Sequence, residues 1–397
     1  MDFSFSAEEE RFRERVRAFL KSSLPEGSGE EGFRRDKETS RLEFLRDWQR
    51  RLYENGFVGM AWPREYGGQG SSQIEQAIFN EEMARFRAPP PLDRVGLSLV
   101  GPTLIAHGNE AQKKRFLPKI LSAENLWCQL FSEPNAGSDL ASLRTRAELR
   151  GDEFIVNGQK VWSSFAHYAD WGILLARTDP AAPKHRGISY LLVDMKSPGI
   201  NARPLHQMSG SSEFCEVFLD NVRIPRENLV GQINEGWRVA TTTLSNERGT
   251  TTLAMMLRFQ QTFDELVELA RATRRSGRSA TEDPIFRGQL AQCYVDLQKL
   301  KYAALRAFSS ILKGGSPGNE GSILKLHWSE FHQRWQELAL ELEGPASQLI
   351  RESPYAVRDG LWQYTFLWSR SDTIYAGTSE IQRNIIAQRV LGLPKQA

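Results

Sequence analysis

The segment Glu153–Ser164, EFIVNGQKVWSS, is where the chain changes from helical to β-strand periodicity. Its two extended runs are separated by Asn157–Gly158, a pair that predicts a hairpin turn. Three later runs are also typical of strands, because they are apolar and bounded by Gly, Pro and Asp: WGILLART, ISYLLVDM and CEVFLDNVRIP. Region 126–232 is therefore predicted to be an antiparallel sheet or a small barrel.

The regions on both sides of this sheet have helical spacing. Ser6 and Glu9 form a capping box before a first helix, and Pro118 is expected to stop the last helix before the sheet. After the sheet, long stretches with apolar residues three and four positions apart predict helices. The predicted fold class is α+β, with three domains: helical 1–125, β 126–232 and helical 233–397. A ligand is expected at their junction.

The composition argues against several classes of function. The 397 residues include 51 Lys and Arg against 49 Asp and Glu, so the charge gives no reason to expect a nucleic-acid partner. Three scattered cysteines indicate a reducing compartment, and we expect a cytoplasmic protein. The sequence shows no metal-ligand spacing, no signal peptide and no apolar run of about 18 residues, so neither a metal nor a membrane span is expected.

Two stretches have residues suited to a planar cofactor. FSEPNAGSDLA (131–141) is a loop in which Ser132, Ser138 and backbone groups offer hydrogen bonds, although an ordinary turn explains it equally well. KVWSS (160–164) places Trp162 at a strand end, where its ring would cover a flat cofactor while Ser164 bonds to it. A tryptophan buried in the core is the other reading of this stretch.

TLSNERG (243–249) contains a candidate general base. On a helix, Trp237, Ala240, Leu244 and Glu247 share one face, and an apolar setting would raise the pKa of Glu247 towards neutrality. A surface pair between Glu247 and Arg248 is the alternative, and the spacing alone favours that alternative.

TIYAGTSEIQR (373–383) is typical of a turn that faces a ligand and leads into a helix. Gly377 permits close backbone approach, and Thr378 or Ser379 is expected to cap the helix. An acid or base is expected in such a turn, yet Ala376 has no reactive side chain. The site is therefore either inactive or supplied with its base from elsewhere in the chain.

These stretches, in this order, resemble the acyl-CoA dehydrogenase family. The similar segments span nearly the whole chain: SEPNAGSDLASLRTRAE, VNGQKVWSS, RGISYLLVDMKSPGINARPL, EVFLDNVRIPRENLVG and YAGTSEIQRNIIAQRVLG. The resemblance implies an N-terminal helical domain, a middle antiparallel β-domain and a C-terminal four-helix bundle. It also implies FAD as cofactor, α,β-dehydrogenation of an acyl-CoA, and an electron-transfer flavoprotein as electron acceptor.

The resemblance also assigns roles to individual residues. Flavin contacts are implied for Gln129, Phe131, Ser132, Ser138, Trp162, Ser164, Thr378 and Glu380. Substrate contacts are implied for Ser138, Leu244 and Arg248. Many family members have the catalytic glutamate at the position of Ala376, whereas a subset has it at the position of Glu247. We therefore expect Glu247 to be the base and the Ala376 backbone N–H to bind the thioester oxygen.

Two departures from the family pattern concern the half-site that serves a neighbouring subunit. The Arg-x-x-Phe-Gly segment is missing from RRSGRSATEDPIFRGQ (274–289), and ELEGPASQ (341–348) has Pro345 where glycine is common. A homotetramer is the ordinary family assembly, and these changes suggest a heterotetramer with a related chain. A flavin oxidase or monooxygenase and a non-catalytic subunit are the alternative functions.

Overall fold

Helices precede and follow one large sheet along the chain, so the predicted α+β order is confirmed. The computed structural model describes residues 5–24, 38–246, 251–313, 320–351 and 353–394. Contacts between residues divide the chain into two units. The sheet unit comprises Lys21–Gln76 and Pro89–Glu247, and the bundle unit comprises Met1–Leu20, Ala77–Ala88 and Arg248–Ala397.

The elements of the described residues are numbered here in chain order. The helices are α1 Ala7–Ser23, α2 Glu38–Glu54, α3 Gln73–Arg85, α4 Gly101–His107, α5 Glu110–Leu121, α6 Gly236–Asn246, α7 Thr251–Ala272, α8 Pro284–Leu312, α9 Glu320–Glu343, α10 Leu361–Ser369 and α11 Ser379–Ile385. The strands are β1 Trp127–Leu130, β2 Arg146–Arg150, β3 Glu153–Ser164, β4 Trp171–Arg177, β5 Ile188–Asp194, β6 Ile200–Pro204, β7 Phe214–Pro225, β8 Leu229–Val230, β9 Arg274–Arg275 and β10 Arg278–Ser279.

The sheet of the sheet unit has the strand order β6-β7-β3-β2-β4-β5-β8, and β1 pairs with β4. Most pairings are antiparallel, as predicted, but β1 and β2 each run parallel to β4. Every residue of β5 from Ile188 to Val193 is buried, because this strand is covered on both faces. The main core of the unit lies on the sheet and includes Leu130, Phe154, Val156, Leu174 and Val217.

The predicted hairpin turn at Asn157–Gly158 is wrong. Both residues lie inside β3, which is one continuous strand although its pairing with β7 shifts register between Val156 and Gly158, and the turn between β2 and β3 falls at 151–152. The reason lies in two tertiary contacts. The Asn157 side chain accepts from the Asn221 N–H of β7 at 2.9 Å, and a Cβ on Gly158 would lie 2.5 Å from Thr145 Oγ1. This Asn-Gly pair serves strand pairing and close approach instead of a turn.

The prediction that Pro118 stops a helix is also wrong, because α5 continues to Leu121. The proline ring removes one N–H donor from the helix interior, at a cost to helix stability. Burial of Phe116, Leu117 and Ile120 offsets that cost, and an Asn109 capping box fixes the start of the helix.

In the bundle unit, α7 packs against α8, α8 against α9 and α9 against α10, which confirms the predicted C-terminal four-helix bundle. Its core contains a group of packed rings from α7 and α9: Phe259, Phe331 and Trp335. The start of α1 also follows the prediction, because Ser6 and Glu9 exchange capping-box hydrogen bonds. The sequence pattern did not predict α10, whose nine residues are almost uniformly apolar and aromatic.

Within the described ranges, no helix is both long and apolar enough to cross a membrane. Over the same part of the chain, no group of three or more His, Cys, Asp or Glu side chains is arranged to hold a metal ion.

Candidate active site

In the sheet unit, a buried lysine of β3 holds the loop that follows β1. Lys160 Nζ donates to the Phe131 carbonyl oxygen at 3.0 Å and to the Glu133 carboxylate at 2.9 Å. The Glu133 carboxylate also accepts from the backbone N–H groups of Arg144 and Thr145, at 2.7 and 2.8 Å. The loop is therefore fixed to β3 and to the start of β2 through one carboxylate.

Burial determines the charge behaviour of this pair. Removal from water lowers the pKa of Lys160 to about 8, although the nearby Glu133 carboxylate opposes this shift. Burial alone would raise the pKa of Glu133, but Lys160 and the donors at Thr145 and Arg144 hold it below its ordinary value. Both partners are therefore charged at neutral pH, and each neutralises the other beneath the loop.

A β-bulge next to this lysine turns Trp162 outward. The pairing of β3 with β7 shifts register between Lys160 and Ser163, and Trp162 has a φ of +60°. Because the bulge adds one residue, Lys160 and Ser163 are both buried, while the Trp162 side chain is 61% exposed. At the bulge, the Val161 N–H donates to the Ser132 carbonyl oxygen at 2.9 Å instead of to a strand neighbour.

Four polar side chains around this loop are open to a ligand. Gln129 and Ser132 are half-buried at the end of β1, Ser164 is half-buried at the end of β3, and Ser138 is exposed. Throughout the described residues, none of these four side chains makes a hydrogen bond within the chain. The structure brings Phe131 and Ser132 beside residues 160–164, whereas no hydrogen bond among the described residues joins the Ser138 side chain to them.

A buried cluster of hydroxyl groups links this loop to α6. The Tyr190 ring packs edge-on against the Phe131 ring, with centroids 5.9 Å apart. The Tyr190 hydroxyl lies 3.3 Å from Thr243 Oγ1, which lies 2.9 Å from Thr103 Oγ1. Burial raises the pKa of the Tyr190 phenol, so the hydroxyl keeps its proton. The cluster fixes α6 at Thr243, next to the half-buried Leu244.

Glu247 and Arg248, the predicted base and substrate-binding arginine, lie outside the described residues. The helix that leads to Glu247 is described as far as Asn246, and its buried face includes Val239, Ala240 and Thr243. In sequence, Glu247 follows Thr243 by four positions.

In the bundle unit, Ala376 lies in an exposed turn before α11. Its φ of +51° is in the left-handed region, which costs an alanine about 1 kcal/mol. Among the described residues, the Ala376 N–H has no acceptor in the chain. The carbonyl on the other side of the residue is occupied, since Gln382 Nε2 donates to the Ala376 oxygen at 3.0 Å.

The helix after this turn begins as predicted, with Thr378 as its cap. Thr378 Oγ1 accepts from the Ile381 N–H at 3.2 Å. Glu380 is exposed in the first turn of α11 and forms an ion pair with Arg383. Ser379 Oγ is buried and has no hydrogen-bond partner within the described ranges, so this helix start has one unused polar group.

Three family models match consecutive parts of the chain. Residues 6–124 match the acyl-CoA dehydrogenase N-terminal domain, residues 128–222 the middle domain and residues 234–391 the C-terminal domain. The curated protein acyl-CoA dehydrogenase IpdE1 from Mycolicibacterium smegmatis is 42% identical, over 98% of this chain and 99% of that protein. The chain belongs to the acyl-CoA dehydrogenase family. The domain boundaries at 125 and 232 stay predictions.

Two solved structures agree with this assignment. One is named "Tcur3481-Tcur3483 steroid ACAD", and it is 33% identical with a TM-score of 0.85 over 100% of both chains. The other is the ChsE4-ChsE5 complex from Mycobacterium tuberculosis, which is 32% identical with the same TM-score and coverage. As a member of this family, the chain is an FAD-dependent oxidoreductase that acts on an acyl-CoA.

The residues present in this acyl-CoA dehydrogenase fit a flavin. The sheet unit offers an exposed indole at Trp162, beside half-buried polar side chains that have no partner in the described chain. Ser163 Oγ is buried there and makes no hydrogen bond to any described residue. An aromatic face and unpaired donors and acceptors are what a flat ring with polar edges requires. FAD contacts at individual residues stay predictions.

Sequence reasoning did not predict the buried residues that support the loop after β1 and the helix α6. Glu133 and Lys160 lie inside the quoted motifs, and the signal that predicts their pairing is a lysine between apolar strand positions. Tyr190 and Thr243 gave no signal, since aromatic and β-branched residues are common in any core.

Proposed function

We propose that this acyl-CoA dehydrogenase converts an acyl-CoA thioester to the trans-2-enoyl-CoA, with Glu247 as the base that takes the α-proton. The observation that carries the proposal is the exposed left-handed turn at Ala376. Its backbone N–H has no acceptor among the described residues, and the turn lacks a carboxylate at Ala376, which supports a base supplied by another element. The family offers one alternative position, and in this chain Glu247 occupies it.

The buried face of α6 supports Glu247 as the base. Thr243 is held by Tyr190 and Thr103, and this fixes the helix four residues before the carboxylate. A carboxylate in an apolar setting has a raised pKa, which suits proton transfer near neutral pH. In this proposal Glu247 takes the α-proton, and a double bond forms as the β-carbon loses a hydride.

The Ala376 N–H is proposed to bind the thioester oxygen. Loss of the α-proton builds negative charge on that oxygen, and a fixed donor stabilises the charge without moving. The donor is a backbone group, so the change from glutamate to alanine leaves it in place.

FAD, when bound, supplies the acceptor for the hydride. In this proposal, the residues of the sheet unit hold and cover the ring: Trp162 stacks on it, while Gln129, Ser132 and Ser164 bind its polar edge. Electrons then pass to an electron-transfer flavoprotein, which the family resemblance implies.

The proposed substrate is a bulky acyl-CoA that carries a steroid-type ring system, and the proposed assembly is a heteromer with a related chain. The names of the two similar structures support this, since one says steroid and the other describes a complex. The departures of this chain from the family pattern also support a heteromer. Pro345 lies in a short 3₁₀ helix, and near it Glu343 Oε1 is buried and has no hydrogen-bond partner among the residues that the structure describes.

The first test is proton abstraction. Glu247→Gln is expected to retain FAD and ligand binding and to lose at least about 100-fold in kcat, since only the acceptor of the proton is removed. Glu235→Gln is the matched control, because Glu235 is an exposed carboxylate just before α6. Near-normal turnover of Glu247→Gln in anaerobic flavin bleaching would rule out its role as base.

The second test concerns substrate and partner. The chain is purified alone and with a co-expressed related chain, and each preparation is mixed anaerobically with short, long, branched and steroid-type acyl-CoAs. We expect full flavin content only in the co-expressed pair and bleaching only with the steroid type. A homotetramer with one FAD per chain would contradict the heteromer, and bleaching by short chains alone would contradict the substrate class.

A further inference from the structure

Side chains from one helix, α9, form hydrogen bonds to the turn that contains Ala376. Lys325 Nζ donates to the Asp372 carbonyl oxygen at 2.6 Å. Two turns further along the helix, Gln333 Nε2 donates to Thr373 Oγ1 at 3.1 Å, and His332 Nδ1 lies 2.6 Å from Asp372 Oδ2. A single helix therefore contacts both the backbone and the side chains of the segment just before Ala376.

Asp372 connects this helix to the residue that precedes Ala376. Its second carboxylate oxygen, Oδ1, accepts from the Tyr375 hydroxyl at 3.1 Å, while Oδ2 faces His332. The Asp372 side chain is only 3% exposed and that of His332 only 14%, so water does not replace these bonds. The carboxylate thus joins α9 to Tyr375, whose peptide bond contains the Ala376 nitrogen.

Contacts with Asp372, Gln336 and Phe259 fix the orientation of the His332 ring. Gln336 Nε2 faces His332 Nε2 at 3.1 Å, so Nε2 accepts and Nδ1 has the proton that is donated to Asp372. The Phe259 ring of α7 packs edge-on against the imidazole, with centroids 5.2 Å apart. Such a ring has little freedom to move away from the carboxylate.

The Ala376 peptide is therefore constrained from both neighbours. On the N-terminal side, Tyr375 is held through Asp372, and on the C-terminal side Gln382 binds the Ala376 carbonyl oxygen. These contacts on both sides hold Ala376 at its strained φ of +51°. The N–H between them has a fixed direction although it bonds to nothing among the described residues.

We propose that His332 and Asp372 are positioning residues that aim the Ala376 N–H at the thioester oxygen. This inference rests on the proposed function, in which that N–H stabilises the developing charge. The two side chains act through the turn and do not contact the substrate. Their effect is on the transition state, because a donor that is slightly misdirected still permits binding but stabilises the charge less well.

The test measures the bound carbonyl group directly. The probe is a steroid side-chain 2-enoyl-CoA labelled with ¹³C at C1, bound to the flavin-loaded enzyme and followed by isotope-edited infrared spectroscopy. In the unaltered enzyme, the labelled C=O stretch is expected at lower frequency than in water, because a fixed N–H polarises it. Asp372→Asn and His332→Ala are expected to lose most of that shift and about 10- to 100-fold in kcat, with KM within about threefold.

Two further variants separate positioning from folding. His332→Asn keeps an N–H near the place of Nδ1 and is expected to restore most of the shift and of kcat. His327→Ala is the matched control, since His327 lies on the same helix but its Nε2 faces the Asp296 carbonyl oxygen at 3.0 Å. It is expected to leave the carbonyl stretch unchanged.

The outcomes distinguish this inference from the proposed function. An unaltered enzyme that shows no carbonyl shift would mean that Ala376 does not bind the thioester oxygen, which overturns both. A normal shift and normal kcat in folded Asp372→Asn and His332→Ala would overturn only the positioning role. Flavin content and circular dichroism show which variants are folded. If His332→Ala does not fold, the result for Asp372→Asn alone tests the positioning role.

Discussion

Trp162 in the sheet unit and Ala376 in the bundle unit both have a positive φ angle, and each presents a different group to its surroundings. Their φ angles are +60° and +51°, in the region that glycine favours. Trp162 presents a large exposed indole, whereas Ala376 presents a methyl group and an N–H that has no acceptor in the described part of the chain. A strained residue thus displays a side chain in one unit and a backbone donor in the other.

The two positions are also held differently. Beneath the sheet-unit loop, a fully buried Lys160 is neutralised by Glu133. In the bundle unit, hydrogen bonds from α9 and α11 hold the turn, and Gln382 caps it. The sheet-unit loop depends on one buried ion pair and is sensitive to loss of either partner, whereas the bundle-unit turn is held by separate contacts from Lys325, His332 and Gln382, so the effect of losing one contact is shared.

Lys160→Met should have the largest effect. It leaves the Glu133 carboxylate buried without its cation, and we expect the free energy of unfolding to fall by about 3 kcal/mol or more, with loss of bound flavin. Chemical denaturation and flavin absorbance measure both. The double variant Lys160→Met, Glu133→Gln should recover part of the stability, because no charge remains buried.

Lys184→Met is the matched control for that change. Lys184 and Asp139 form an equally short pair, at 2.9 Å, but both side chains are more than half exposed. Its removal is expected to change stability by no more than about 0.5 kcal/mol. Equal losses from the buried and the exposed lysine would contradict the role assigned to burial.

Gly377→Ala should have the next largest effect, in the bundle unit. The new Cβ would lie 2.5 Å from Gln382 Nε2, so the cap on Ala376 must shift, and φ is +89°. We expect a loss of about 2 kcal/mol in thermal or chemical unfolding. Gly277→Ala is the control, since φ is +81° and no atom lies within 4 Å of its Cβ. It isolates the backbone penalty of about 1 kcal/mol, and equal losses would show that the Gln382 contact is unimportant.

Acid should weaken the sheet-unit loop through protonation of Glu133. The folded-state pKa of Glu133 lies below its ordinary value of 4.5, so the carboxylate contributes stability that is present above that pH. This contribution is lost as the pH falls through the lower, folded-state pKa. Melting temperature and flavin release, measured from neutral pH to below 4.5, should decline less steeply in the Lys160→Met, Glu133→Gln variant. Parallel curves would contradict the prediction.

The sequence predicted those features whose signals are local. The helix–sheet–helix order followed from periodicity, and Phe131, Trp162 and Ala376 were singled out because each lies in a short motif. His332 could not be found in this way, since its partner Asp372 is forty residues away and a lone histidine on a helix is usually structural. Glu247 remains a prediction that rests on the family resemblance.

The wrong predictions have a common physical cause. Asn157–Gly158 and Pro118 both have strong local preferences, for a turn and for a helix end. In the fold, the Asn157 contact with β7 and the buried face of α5 outweigh those preferences. The outward direction of Trp162 was also beyond the sequence pattern, because a single bulge in β3 reverses the alternation of buried and exposed residues.

Ala376→Gly should have the smallest effect, and it tests the comparison most directly. Glycine relieves the left-handed strain but adds freedom to the unfolded chain, so the free energy of unfolding should change by less than about 0.5 kcal/mol. The N–H remains, and kcat should fall by no more than about threefold while flavin affinity stays constant. Trp162→Gly relieves the same strain but removes the indole, and flavin affinity should fall about tenfold. Flavin titration and kcat of the two variants decide the point: similar losses in both would mean that Ala376 also acts through its side chain, and the contrast between the two positions would fail.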